Sequence, residues 1–591
     1  MESKPSSKAT ESKNDGAPPS SSSVLFSVIV VFIGLAAIFL LKTNPPTGSW
    51  MQGYDPLGHW YLSTALAALP IVVLLGAIAV LRLKAHIAAC AGLITALLVA
   101  TVVFHMPLRL AFTAATYGAG YGLFPICWII LPVIFLYDLT VKTGTFVTLQ
   151  ESLTNITDDG RLQVLLIAFA LGAFFEGTSG FGTPVAVCGA ILISLGFRPL
   201  QAAGLTLLAN TAPVAFGALG TPVVALQGVT GLNLLLLTKT ISIILFLFCL
   251  IVPFWVIWAY AGLRSMLEVW PAILVASVTF AFAQLIIARY NPTLIAIGAS
   301  VSTIAVLVVF LHFWKPKRVL NATGEDITSH ARQRFDHSSG KVFNAWMPWL
   351  VLSVVVFVWG LPPVSKWMDS LTTVKIAVTG LHLVIQRVPP VVAKPTFEPA
   401  LFTVNWLAAT GTGILVAAII AGLLMRLGPI TLFKSFMKTC FNIRFAFVTI
   451  AAMMAIGFIT RYCGLDATLG LAFARTGSLY PFFGSLIGWL GVASTGSDTS
   501  ANVLFGSLQV MTANQIGVSP LLMASANSAG GVMGKMIAAP SIVVASTATK
   551  TYGQEGSILR FVFFHSLALA TLVGIVVYLM AYVYPFTTLV P

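Results

Sequence analysis

Charged side chains are scarce in this 591-residue chain: only 8% of positions are Asp, Glu, Lys or Arg, against about 25% in soluble globular domains. That deficit excludes an ordinary soluble protein. With 58% hydrophobic residues and a mean hydropathy of +0.95, it also excludes a disordered chain. Acids are scarcer than bases, 18 against 32. The basic residues lie mostly between apolar runs, so the excess reads as membrane orientation and not as nucleic-acid binding. The 49 glycines and 31 prolines follow no short period, which excludes a fibrous protein. Cys90, Cys127, Cys188, Cys249, Cys440 and Cys463 lack paired spacing, so they indicate neither a disulfide framework nor a zinc site. They read as small apolar packing residues. No nucleotide-binding loop, metal-ligand cluster or nucleophile triad is visible, and the sequence implies neither an enzyme nor a cofactor. The chain lives in a bilayer.

Residues 1–23 are polar and rich in Ser, Pro and Lys, a disordered tail by composition. The uncharged run Val24–Leu41 follows. Its long leading tail and missing small-residue cleavage site argue for an extra N-terminal membrane helix over a signal peptide. A span needs about 20 apolar residues to cross about 30 Å. Further candidates are Leu62–Leu81, Ile87–Phe104, Tyr121–Tyr137, Val164–Phe175, Leu234–Tyr260, Val269–Ala288, Thr293–Trp314, Trp349–Leu361, Trp406–Met425, Phe445–Ile459 and Phe561–Tyr584. Residues 315–345 carry Lys315, Lys317, Arg318, Arg332, Arg334 and Lys341, the mark of a cytoplasmic loop. That loop separates a first half, 52–314, from a second, 346–591. The segment 362–400, with its Pro-Pro pairs, reads as a surface helix or loop. The glycosylation sequons at Asn155 and Asn321 are discounted as chance matches.

Two apolar regions, 176–224 and 464–546, are cut repeatedly by Gly, Pro, Ser and Thr, and they resemble each other. At an offset of 317 residues Thr178 meets Thr495, Gly189 meets Gly506 and Gly217 meets Gly534. Ala209-Asn210-Thr211-Ala212 falls on Ala526-Asn527-Ser528-Ala529. Each region has a Gly/Thr/Ser turn, a short apolar stretch, a Gly-x-x-Pro turn and the Ala-Asn-Thr/Ser element. Paired, interrupted hydrophobic segments point to a transporter binding site, because open backbone at membrane depth is tolerated only in protein or beside a wet cavity. Helix starts left open there suit a carboxylate. Small-residue packing between ordinary helices is the plainer alternative.

Glu176 ends an uninterrupted apolar run, and a carboxylate there is costly unless paired, protonated or hydrated. It is the first candidate for proton coupling, with an interfacial or structurally paired acid as its alternative. Asp498, in the corresponding turn of the second region, suits capping or coupling. Lys535 suits neutralising a bound carboxylate, pairing with either acid, or snorkelling. His565, in the last span, titrates near neutral pH unless it is a packing residue. Asp138 and Lys142 have the spacing of an interfacial ion pair. Arg461, Asp466 and Arg475 either line a cavity or mark a boundary.

At these residues the chain closely resembles the L-lactate permease family, proton-linked carriers of lactate and related 2-hydroxymonocarboxylates. The matching stretches include Gln52-Gly-Tyr-Asp-Pro, Tyr121–Ile130, Tyr137–Gly144, Phe174–Pro184, Gly196–Leu200 and Asn210–Gly217. Thr410–Gly413, Gly488–Gly491, Thr495–Ser500 and Gly530–Met536 follow. The resemblance implies a multi-pass symporter of the bacterial inner membrane, moving lactate, often glycolate, with a proton. The doubled Ala-Asn-Thr/Ser element is more loosely similar to that of sodium-linked dicarboxylate carriers, whose hairpins and interrupted helices form the site. Residues 1–51 extend beyond the usual family start, and an added span there would reverse the side the N-terminus faces. Arg461 stands where the family has a neutral polar residue, and Thr178-Ser179 replaces smaller ones.

The expected fold is an all-α multi-pass membrane protein of 12 to 14 spans, in two repeats of inverted sense with re-entrant hairpins and interrupted helices. The expected substrate contacts are Thr178, Ser179, Gly180, Gly182, Asn210, Thr211, Thr495, Gly496, Ser497, Thr499, Asn527, Ser528 and Lys535. Glu176, Asp498 and His565 are the proton-coupling candidates, and no metal is expected. Small monocarboxylates, protons and lipid are the partners implied. A sodium-coupled carboxylate symporter and a passive anion channel remain as rivals.

Overall fold

The computed structural model describes residues 49–590 apart from positions 80, 82, 155, 179, 181, 329–337, 393 and 552–553. The tail 1–23, the run Val24–Leu41 and Ser179 therefore lie outside the described residues. Among the described residues, ten helices are long and apolar enough to cross a bilayer, or twelve if two bent pairs each count as one span. The chain is a multi-pass helical membrane protein. Twelve meets the lower end of the expected 12 to 14; ten falls short of it, since Val24–Leu41 lies outside the described residues and four apolar helices, such as Thr183–Ser194 and Leu465–Ala474, are too short to cross alone.

Apolar runs mark where the helices are but understate their lengths. Phe445–Ile459 is the inner part of Pro429–Cys463, whose first half carries Lys434, Lys438 and Arg444; long basic side chains lie along an apolar surface and keep their heads wet. Val164–Phe175 is the middle of Gly160–Thr178, which is buried along its whole length. A helix apolar on every side belongs in the centre of a bundle. Asp138 and Lys142 do not pair with each other as their spacing suggested. Asp138 accepts from the Thr439 hydroxyl and Lys142 donates to Ser435, so both fasten onto Pro429–Cys463.

The segment 362–400, expected as a surface helix or loop, is a helix, Pro362–Thr372, followed by short strands. Val374–Ala377 pairs antiparallel with Leu401–Val404, while Ile385–Arg387 lies between parallel Trp50–Met51 and antiparallel Thr396–Phe397. Pro389, Pro390 and Pro395 fall between these strands, where no ladder donor is needed.

Both halves run through the same parts in the same order. In the first, Gly160–Thr178 turns through left-handed Gly180 and Gly182 into Thr183–Ser194, then Pro199–Ala209 bends by 65° into Val214–Thr230. In the second, Tyr480–Thr495 turns through left-handed Gly496 into Asp498–Ile516, then Pro520–Ile537 bends by 43° into Pro540–Ala548. The breaks have a chemical cause: Pro213 and Pro540 have no N–H for the carbonyl four residues earlier. The last pieces are exchanged between the halves. Gly217–Thr230 packs on Asp498–Ile516, and Ala539–Ala548 packs on Thr183–Ser194.

At the basic-loop end, fully buried Arg161 pairs with Asp159 at 2.7 Å and Glu268 at 2.6 Å, and donates to the Arg318 carbonyl. It fastens the start of Gly160–Thr178 to the end of Leu234–Glu268. Arg161→Ala strands a buried carboxylate and is expected to cost about 3–5 kcal/mol, read as a lower melting temperature of the detergent-solubilised protein.

Candidate functional site

Two carboxylates stand at the hairpin turns. Glu176 lies on the last helical turn before the first, and Asp498 opens the helix after the second. They are therefore not equivalent positions, although both occupy a turn. Each is hydrogen-bonded by the Ala-Asn-Thr/Ser element of its own half. Asn210 Nδ2 donates to Glu176 Oε2 at 3.0 Å, and Ser528 Oγ donates to Asp498 Oδ2 at 2.7 Å. The repeated motif thus serves the acid in both halves, using its Asn in one and its hydroxyl in the other.

Room for the carboxylates comes from two glycines. A Cβ at Gly217 would lie 2.6 Å from Glu176 Oε1, and one at Gly531 would collide with Asp498 Oδ1. Lys535, at the break of the second bent helix, donates to the Gly496 carbonyl at 2.7 Å and so holds the tip of the second hairpin. Its ammonium also attracts both Glu176 and Asp498 electrostatically. The three charges are nearly closed to solvent, at 3%, 3% and 7% exposure for Glu176, Asp498 and Lys535. The two carboxylates are contributed by different halves.

Asn502, four residues beyond Asp498 on the same helix face, extends the network. Its amide donates to Asp498 Oδ2 at 3.3 Å and to the Pro222 carbonyl at 3.2 Å, across the boundary between halves. Asn527 donates to Asn502 Oδ1 at 3.0 Å and accepts from Gln509 at 3.2 Å. It sits within Pro520–Gly534, eight residues before Lys535, whereas Asn210 caps the end of its helix at the break. Two buried oxygens, Asn210 Oδ1 and Asp498 Oδ1, lack a hydrogen-bond partner. Unpartnered buried acceptors are costly, and they mark where a donor is wanted.

The remaining expected contacts divide. Thr178 and Thr211 spend their hydroxyls on Phe175 and Leu208 carbonyls. The amides of Gly180, Gly496 and Ser497, expected to meet an anion, bond to the Phe175 carbonyl, the Val492 carbonyl and Thr495 Oγ1. Tight turns consume their own donors, which spacing alone does not reveal. Ser497 Oγ caps Ser500, leaving the first-turn amides of Asp498 and Thr499 as the ones aimed outward from that helix start. Gly182 lies against Val544 of the other half. His565 accepts from the Trp255 indole at 3.0 Å, which ties it to the periphery of the bundle. Arg475 lies over the Trp60 ring, while Arg461 and Asp466 share a second polar cluster with Glu398 and Arg387. No group of His, Cys, Asp and Glu able to hold a metal occurs among the described residues.

Sequence reasoning passed over Asn502, Gln509, Gly217 and Gly531. Asn502 was legible as a polar residue at i+4 from Asp498. Nothing in the sequence alone tells Gly217 or Gly531 from glycines that merely pack.

A family described as L-lactate permease matches residues 63–584. The glycolate permease GlcA of Escherichia coli K12 is 42% identical, covering 91% of this chain and 99% of its own. The L-lactate permeases of E. coli K12 and Bacillus subtilis 168 are 41% and 40% identical, each over 90% of this chain, and over 98% and 99% of their own. Among solved structures, the Alcanivorax borkumensis YdaH transporter aligns with 80% of this chain and 88% of its own, at TM-score 0.42 and 12% identity.

Asn210→Leu removes the hydrogen-bond donor that serves Glu176. It is expected to cost about 1–3 kcal/mol, seen as reduced thermal stability, whereas Asn210→Asp should cost more because it sets two acids side by side.

Proposed function

The chain belongs to the L-lactate permease family, and from that premise we propose proton-coupled uptake of L-lactate and related 2-hydroxymonocarboxylates, such as D-lactate or glycolate. It is a multi-pass permease of the bacterial plasma membrane. The reading rests on one observation above the others: Glu176 and Asp498, from different halves, are both nearly closed to solvent, and each accepts a hydrogen bond from the Ala-Asn-Thr/Ser element of its own half.

In this mechanism the substrate carboxylate binds beside Lys535 and the first-turn amides of Asp498 and Thr499, where charge and helix dipole both favour an anion. Its 2-hydroxyl donates to the unpartnered Asn210 Oδ1. Glu176 takes the proton, with Asn210 as its hydrogen-bond partner in either state. Asp498 stays charged against Lys535, oriented by Ser528 and Asn502. One proton and one monocarboxylate together add no charge, so empty and loaded carriers meet the membrane potential alike. An unaccompanied anion would face about 2.3 kcal/mol per 100 mV. The two bent helices and two hairpins form opposed pairs across the site, the arrangement in which one half can rock against the other.

The test is labelled-lactate uptake into proteoliposomes under an imposed pH gradient, competed with glycolate, pyruvate and succinate. Concentrative uptake, with glycolate the strong competitor and succinate a poor one, is expected; collapse on replacing Na⁺ by K⁺ would substitute sodium for the proton. Glu176→Gln should abolish pH-driven accumulation and spare lactate–lactate exchange. Unchanged accumulation in that variant would remove Glu176 from the coupling step.

A further inference from the structure

A second charged network lies away from the central site. Glu398, from the strand-bearing segment, pairs with Arg387 and, at 3.3 Å, with Arg461 Nη2. Arg461 Nη1 donates to the Val229 carbonyl at 3.0 Å, and its buried Nε has no hydrogen-bond partner. Asp466 faces both arginines; its Oδ1 accepts from Ala467 and its Oδ2 is unpartnered. Tyr462 and Tyr117 complete the surroundings.

Its position follows from one helix. Gly231, against the Arg461 guanidinium, precedes Leu234–Glu268, whose other end pairs with Arg161 and lies beside the basic loop. Residues 234–261, before the break at Gly262, already exceed the roughly 30 Å hydrocarbon core at about 1.5 Å each, so the two ends lie on opposite faces. With the basic loop cytoplasmic by its charge, Arg461 is on the outer side. Gly217–Thr230 joins the two sites: its start meets Glu176, Pro222 meets Asn502, and Val229 meets Arg461. Seven residues separate the last two, about 10 Å of helix. Beside the network, a cavity of about 730 Å³ is lined by Gln52, Tyr54 and Thr468 among others, and Gln52 donates to the Arg461 carbonyl.

We propose that Arg461 is an outer capture site for the substrate carboxylate, and that Glu398 is the internal carboxylate which the substrate displaces. This rests on the transport reading above. A guanidinium binds carboxylates through a planar fork of donors, and here that fork already holds one, with a further donor idle. Displacement does not strand Glu398, because Arg387 keeps hold of it. The two arginines and two acids sum to zero charge, so the network exchanges a monocarboxylate without trapping it. The segment carrying Glu398 then acts as an outer lid that substrate loosens, and the anion passes along Gly217–Thr230 toward Lys535.

The test is lactate counterflow by the purified full-length carrier in proteoliposomes, with melting temperatures measured in parallel. Arg461→Gln should raise KM about tenfold and Glu398→Gln should lower it by about as much, the effect of one charge-assisted hydrogen bond lost or one competitor removed. Glu398→Asp keeps the charge beside Arg387 but draws back from Arg461, and should lower KM in the same sense with little loss of stability. A purely structural latch predicts that all three variants shift KM alike or change only the maximal rate, and either result overturns the proposal. Absence of lactate counterflow in the unmodified carrier would instead overturn the transport reading, and this inference with it.

Discussion

A carboxylate cannot be left unpaired at membrane depth, and the centre of this protein is built around two of them. Glu176 and Asp498 are nearly closed to solvent. Removing one such charge from water costs several kcal/mol, which attraction to a partner offsets only when geometry and hydrogen bonds are good. The protein meets that demand with one shared ammonium and with donors drawn from the following helix of each half. Glycine at 217 and 531 is part of the same solution, since any side chain there would occupy the space of a carboxylate oxygen. Hairpins, bends and small residues all follow from the need to bring these groups together.

The backbone near the acids is correspondingly strained. Ala218 and Leu219 both adopt left-handed conformations, followed by Gly220. For residues with a Cβ that conformation costs about 1–2 kcal/mol each. It persists because surrounding packing over-determines it, a condition common at functional sites. The run lies directly after Gly217, the glycine against Glu176, so strain and buried charge are adjacent.

How much of this was legible follows from the scale of each signal. Apolar runs of membrane length gave the helical class and most span positions, because desolvation acts on every residue of a span. The Gly and Pro breaks gave the interrupted regions, since each removes a specific backbone option. The doubled Ala-Asn-Thr/Ser element drew attention to the segments that hydrogen-bond Glu176 and Asp498. Sequence spacing failed where turns use their own donors: the Gly180 and Gly496 amides are already bonded. It failed again at 374–404, where strands only four residues long or shorter are held by partners distant in sequence. Glu398, inside that segment, was passed over for the same reason, and without it Arg461 had no visible partner.

The placement of the single ammonium has a consequence for motion. Lys535 belongs to the second half and is hydrogen-bonded to the second hairpin through Gly496, so it travels with Asp498. Its attraction to Glu176 acts across the boundary between halves, so rocking would stretch it. Stretching it is costly while Glu176 is charged, because each group loses a partner in a low-dielectric surrounding. When Glu176 is neutral that attraction is gone, and Lys535 keeps Asp498 as its partner within the half that moves. A proton and a monocarboxylate bound together return the site to the net charge of the empty carrier, one negative, whereas an anion alone makes it two. Coupling in this scheme needs no gate dedicated to it; it follows from having two acids, one base, and a boundary that runs between them.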